Sequence, residues 1–132
     1  MSEVPLTPVV IQRSKWLHGE TAKDSYLIRT GDGKMCCVGF MCIARGIDRR
    51  QLEDINTVDA IPNYAAMVKM RHGCGGFGPL YAINDVPVGS TIRPCESWHL
   101  GDLTTTPMTE ARREQEIIER AKPLGVEVTF ED

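Results

Sequence analysis

Residues 34–45, KMCCVGFMCIAR, constrain the fold more than any other stretch of the chain. Apolar side chains occur nearly all round a helix drawn through them, and a helix of that kind belongs in the centre of a domain. Its length of about three turns suits a helix, and Gly46 is placed to cap its end. Gly39, in the middle, costs about 1 kcal/mol relative to alanine. A glycine retained there predicts close packing of another element against the helix. A chain of 132 residues fits one domain spanning residues 1–132. A domain of that size buries roughly two thirds of its unfolded surface, so it needs no metal or disulfide to fold.

Around this central helix the patterning predicts, in chain order, strand, strand, helix, short helices, strand, helix and strand, without a regular βαβ alternation. In residues 8–17, Val9 and Ile11 alternate with Val10 and Gln12, as in a strand with one buried face that ends near Trp16 and Leu17. Residues 18–24 read as a loop and residues 25–30 as a second strand. The run Gly31-Asp32-Gly33 makes a tight turn. Asp48, with Gln51 three residues on, resembles a capping box for a short helix over residues 49–54. Residues 56–62 are connection, residues 63–71 form one more short helix, and residues 72–79, HGCGGFGP, form a loop. Residues 80–86 alternate Leu80, Ala82 and Asn84 with Tyr81, Ile83 and Asp85, and read as a strand. Residues 87–106 are the least regular part of the chain. Thr106 and Pro107 suit the cap and first position of the clearest helix in the sequence. Its apolar stripe is Met108, Ala111, Ile118 and Ala121, and its wet face carries Arg112, Glu116 and Arg120 at spacings of four. Pro123 and Gly125 stop it. Val126, Val128 and Phe130 then alternate with Glu127, Thr129 and Glu131, a final strand with one wet face. The expected fold is α+β, a small single-layer, mostly antiparallel sheet packed against a central buried helix and a C-terminal amphipathic helix.

Charge and composition set aside several functions. There are 15 basic and 18 acidic residues, a net of -3, which gives neither a field for nucleic acid nor the excess of a DNA mimic. Arg45, Arg49 and Arg50, with Lys69 and Arg71, are interrupted by Asp48, Glu53 and Asp54 and lack interleaved aromatics, so they read as a mixed solvated surface. No apolar run approaches the roughly 18 residues of a membrane span. The start, MSEVPLTPVV, lacks the basic region and apolar stretch of a secretory signal, and a cytoplasmic location is expected. The five cysteines, Cys36, Cys37, Cys42, Cys74 and Cys95, are then kept reduced and serve mainly as small apolar core residues.

Three motifs bear on chemistry. Gly73, Gly75 and Gly78 fit G-x-G-x-x-G, but a dinucleotide loop follows a strand and opens a helix, whereas here a helix-like run precedes it and a strand-like run follows. G-K-[ST] is also absent. Cys37 and Cys42 meet a C-x4-C spacing, yet on a helix residues five apart diverge by about 140°, so no metal site is expected. No cofactor is expected either. A cysteine nucleophile requires a base and an orienting group. Cys36 or Cys37, with His18, His72 or His99 and with Asn84 or Asp85, supplies such sets, of which Cys37, His72 and Asp85 form the leading one. A thiol near a helix N-terminus has its pKa lowered. Trp16 reads as core, whereas Trp98 and His99 in the irregular segment, and Phe77 in the glycine loop, are the candidate contacts for a protein partner.

Several runs together resemble a known family. Lys15-Trp16-Leu17-His18-Gly19-Glu20, Gly33-Lys34-Met35-Cys36-Cys37-Val38-Gly39-Phe40 and Ala82-Ile83-Asn84-Asp85 are similar to small proteins of tailed bacteriophages and prophages. The helix leading to Gly125-Val126-Glu127-Val128 is similar to the family's ending. His18 stands where arginine is expected, and residues 86–106 are longer than usual. The resemblance implies phage origin and the host bacterial cytoplasm, and it carries no site residue with it. The expectation is a small accessory protein without catalytic activity that binds a host or phage protein, inhibition of a host defence system being one form of that role. A cysteine-dependent enzyme built on Cys36 or Cys37 is the alternative, and a small-molecule binder using the glycine loop is a third.

Overall fold

The structure, a computed structural model, describes residues 6–19, 27–55, 78–93 and 100–132. In chain order its main elements are strand β1 (Thr7–Gln12), helix α1 (Cys37–Ala44), helix α2 (Gly78–Asp85), helix α3 (Glu110–Ala121) and strand β2 (Val126–Glu131). Single turns of 3-10 helix lie at Arg13–Lys15, Arg49–Gln51, Gly101–Thr104 and Lys122–Leu124. The α+β class is as expected, and the sheet is not. Among the described residues it has two strands, and they run parallel, with Thr7 opposite Val126 and Gln12 opposite Glu131. Alternation in each strand reports one buried face and says nothing about direction, which is why the sequence pointed to the commoner antiparallel pairing. The register sets Val9 against Val128 and Ile11 against Phe130. Val9, Ile11, Val126 and Val128 are buried, as their alternation requires.

Helix α1 occupies the centre. Cys37, Val38, Gly39, Phe40, Met41 and Cys42 are all buried. It starts three residues later than the sequence suggested, because residues 34–36 run alongside the chain after β1. Trp16 and Met35 form an isolated parallel bridge, with Leu17 N–H donating to Met35 O at 2.8 Å and Met35 N–H to Lys15 O at 3.0 Å. Gly46, at φ +87°, ends the helix in the left-handed conformation. Gly39 has the role its position predicted: a Cβ there would lie 2.0 Å from the carbonyl oxygen of Leu27. Of the expected strand over residues 25–30, residues 27–30 are described. Ile28 makes only a single parallel bridge, to Glu53, so the segment packs on α1 without extending the sheet. In the turn that follows, the Asp32 carboxylate accepts from Arg29 and from the Lys34 N–H. The Arg29 hydrogen bond is the main reason its pKa falls to about 2. Asp48 accepts from Arg50 N–H as an N-cap, though the helix it starts is one 3-10 turn and not a helix to residue 54.

Two further expectations are corrected. Residues 80–86 are not a strand. Helix α2 runs over Gly78–Asp85, with Pro79 early in it, where a fixed φ and a missing N–H suit a helix start. Leu80, Ile83 and Asn84 are its buried face, at a spacing of three and four. The period-two pattern had apolar residues on both sides and so did not separate strand from helix. Residues 78–79 therefore open a helix and are not loop. The glycine run does precede a helix, one of the two conditions a dinucleotide loop must meet. Helix α3 begins at Glu110, capped by the Thr109 hydroxyl, which accepts from Arg112 N–H. Thr106 and Pro107 lie before it. Met108 is buried outside the helix, and Ala111 is exposed. The inward positions are Arg113, Ile117 and Ala121. The short helix expected over residues 63–71 and the loop expected over residues 72–77 lie outside the described residues, as do residues 20–26 and 94–99.

Candidate functional site

Three of the runs singled out in the sequence close around one side chain. Asn84, on the last turn of α2, is fully buried. Its Oδ1 accepts from Trp16 Nε1 at 2.7 Å and from Cys37 N–H at 3.0 Å. Its Nδ2 donates to Leu17 O and to Asp85 Oδ1, both at 2.9 Å. The first turn of any helix leaves N–H groups without intrahelical partners. At α1 the preceding Cys36 side chain caps none of them, and the Asn84 amide supplies that cap from another helix. The indole of Trp16 is thereby fixed, the segment after β1 is tied to α2, and both are tied to α1. Every polar atom of this buried amide has a partner, which is the condition under which such a group can sit in a core.

A second set of polar contacts lies beside the first. The backbone oxygen of Asn84 accepts from Gly19 N–H at 2.9 Å and from Arg113 Nη1 at 3.0 Å. Arg113 Nη1 also donates to Ile83 O at 2.7 Å, and its Nε to Glu110 Oε1 at 3.0 Å. The guanidinium is fully buried, and its Nη2 has no hydrogen-bond partner. It therefore bonds the C-terminal carbonyls of α2, where a cation also meets the negative end of the helix dipole. Gly19, at φ +62°, passes so close that a Cβ would sit 2.8 Å from Arg113 Nη2. Both the backbone conformation and the space require glycine there. His18 lies flat on Trp16, ring centroids 3.7 Å apart. Its Nδ1 is 3.0 Å from Trp16 O and its Nε2 is 2.8 Å from Glu110 Oε2. Phe130 of β2 completes the cluster, 4.9 Å from the indole.

The thiols beside this hub are sealed. Cys36, Cys37 and Cys42 are free and buried. Burial pushes the Cys36 and Cys42 thiols up to about 12, and Cys37 well above its ordinary value. Two effects compete at Cys37, the first residue of α1. A helix N-terminus favours the thiolate, and desolvation disfavours it. Desolvation wins, aided by the neighbouring Cys36 and Asp85. The Cys37 thiol donates a long hydrogen bond to Leu80 O, 3.8 Å. At neutral pH these sulfurs are protonated, and a protonated thiol is neither a nucleophile nor a metal ligand.

Of the candidate catalytic set, Cys37 is thus in the core, Asp85 lies on α2 next to Asn84, and His72 is outside the described residues. Trp98, His99 and Phe77, the candidate partner contacts, are also outside them, as are Cys74 and Cys95. His18 is brought to Trp16 and Glu110. Among the described residues no group of three or more His, Cys, Asp or Glu is placed to hold a metal ion, and no helix is long and apolar enough to cross a membrane. Sequence reasoning missed Glu110 and Arg113. Their spacing of three at a helix start was readable as a pair, but burial of an arginine has no signature in the sequence. No family model, no curated protein and no solved structure matches the chain.

Proposed function

We propose that this chain is a small phage accessory protein without catalytic activity that acts in the host cytoplasm by binding a host or phage protein, inhibition of a host defence system being one form of that role. The observation that carries the reading is the burial of Cys36, Cys37 and Cys42, which leaves the cysteine-enzyme alternative without a reactive sulfur among the described residues. The polar hub around Asn84 has the character of a structural device: its atoms are spent on holding segments together, and its indole is buried.

The irregular stretch before α3 offers a contact surface. Gly89 N–H donates to Met108 O, Met108 N–H to Ser90 O, and Ile92 N–H to Leu103 O. The turn at residues 87–90 is therefore held from both sides, and it presents Val88, 58% exposed. A fixed loop loses little conformational entropy on binding, and loops on a rigid scaffold commonly carry recognition. Tagged protein recovered from infected cells is expected to bring a partner at stoichiometric level, and Val88→Asp, which disturbs no buried group, is expected to lower that recovery. Recovery of no stoichiometric partner contradicts the reading.

A further inference from the structure

The two-stranded sheet is covered on one face and open on the other. Its inward side chains Val9, Ile11, Val126 and Val128 are buried. Its outward ones are Pro8, Val10 and Gln12 on β1 and Glu127, Thr129 and Glu131 on β2, and all six are exposed. Parallel strands are ordinarily buried on both faces, because their crossover connections lay helices over each side. Here the outer face instead leaves Val10, at the middle of β1, 45% exposed.

The register sorts this open face into two rows. Pro8 stands opposite Glu127, Val10 opposite Thr129 and Gln12 opposite Glu131. One strand therefore offers apolar surface, and the other, about 4.8 Å away, offers two carboxylates. Glu127 and Glu131 are four residues apart, about 13 Å along a strand. Among the described residues neither has an ion-pair partner. Arg13, just beyond the end of β1, is spent on Glu114 and Asp132. Such a face repels a phosphate backbone, which is bound through basic side chains. A second copy seated face to face would set carboxylates against carboxylates, a juxtaposition that suppresses pairing.

We propose that the outer face of this sheet docks an amphipathic helix of a protein partner, its apolar stripe on Pro8 and Val10 and a row of Lys or Arg over Glu127 and Glu131. A helix laid on a sheet face is the ordinary way to close such a layer. Strands of six residues span about 20 Å, the length of a helix of about 13 residues. Basic residues seven or eight apart lie on one side of such a helix, about 10–12 Å from one another, and their long side chains reach both carboxylates. This surface is distinct from the turn around Val88. The inference rests on the reading that the chain works by binding protein, and it adds the chemistry of what is bound.

The probe is a designed amphipathic helix of leucine and lysine, about 14 residues long, with a leucine and glutamate helix as its counterpart. The lysine peptide is expected to bind the whole chain, to shift the backbone amide resonances of Val10, Glu127, Thr129 and Glu131 above all others, and to bind less tightly as salt is raised. Glu127→Lys combined with Glu131→Lys is expected to weaken it about tenfold and to transfer the preference to the glutamate peptide. Val10→Thr, which exchanges one methyl for a hydroxyl, is expected to weaken it about threefold. These positions are exposed, so the variants are expected to melt close to the wild type. No binding of the lysine peptide, shifts centred elsewhere, equal binding of the glutamate peptide, or an affinity that neither variant moves overturns the proposal. So does a concentration-dependent dimer of the wild type that Val10→Thr weakens. The broader reading is judged separately. A stoichiometric partner lost on Val88→Asp upholds it even where the peptide fails, and a peptide bound on the sheet with no partner recovered upholds the docking face alone.

Discussion

At the scale of single residues, Asn84 and Gly39 show two ways in which one side chain fixes the packing of several segments. Asn84 does so by being present: remove its amide and the Trp16 indole N–H and the Cys37 N–H are both left buried without an acceptor, the expensive outcome for a polar group in a core. Gly39 does so by lacking a side chain. Gly39→Ala relieves about 1 kcal/mol of helix propensity, but the added methyl would occupy the place of a backbone oxygen that cannot swing away. Net destabilisation of about 1–3 kcal/mol is expected, read as a lower urea midpoint at unchanged slope. Gly39 was legible in the sequence because a glycine inside an apolar helix weakens that helix, and a close neighbour is what makes the loss worth keeping. Asn84 was not, since an asparagine among Ala82, Ile83 and Asp85 looks the same whether it faces water or holds three segments. From the sequence it stood as an orienting group for a nucleophile, and the residues it orients prove to be Trp16, Leu17 and Cys37.

At the scale of elements, the outer parts of the fold were legible and the inner connections were not. Strands β1 and β2 each carry a clean alternation, and α1 carries its apolar surround, so burial alone locates them. Helix α2 was misread because eight residues give too few turns for the helical period to stand out against alternation. The start of α3 was misread because Thr106-Pro107 and Thr109 both offer a cap, and only the chain path distinguishes them. That choice has a measurable consequence. Thr109→Ala removes the hydroxyl that accepts from Arg112 N–H and is expected to lower stability by about 1 kcal/mol. Pro107→Ala, at an exposed position outside the helix, is expected to change stability, read from the melting midpoint, by no more than about 0.5 kcal/mol. Equal losses in the two variants contradict the cap assignment.

At the scale of the whole molecule, β1 and β2 come from opposite ends of the sequence and lie side by side, with α1 packed against β1, α3 against β2, and α2 against α1 and α3. Arg13 strengthens that closure: its Nε and Nη2 each donate to Glu114 at 2.8 Å and its Nη1 to Asp132 at 3.0 Å. The sealed sulfurs make stability depend on pH at the alkaline end. Cys36 and Cys42 ionise near 12 in the folded protein against 9.0 ordinarily, so above about pH 9 the unfolded chain gives up protons that the folded one keeps. The contribution is complete below that pH and declines as pH rises, by up to about 1.4 kcal/mol per unit for each thiol. A urea midpoint that falls steeply above pH 9 in the wild type, and less steeply in Cys42→Ala, is expected. The central claim is that the vicinal sulfurs belong to the core, and residue-resolved alkylation of the folded protein near neutral pH tests it most directly. Cys36, Cys37 and Cys42 are expected to label only as fast as the whole molecule unfolds, with all three rates rising together in urea. Rapid labelling of Cys36 or Cys37 in the folded state would contradict the account.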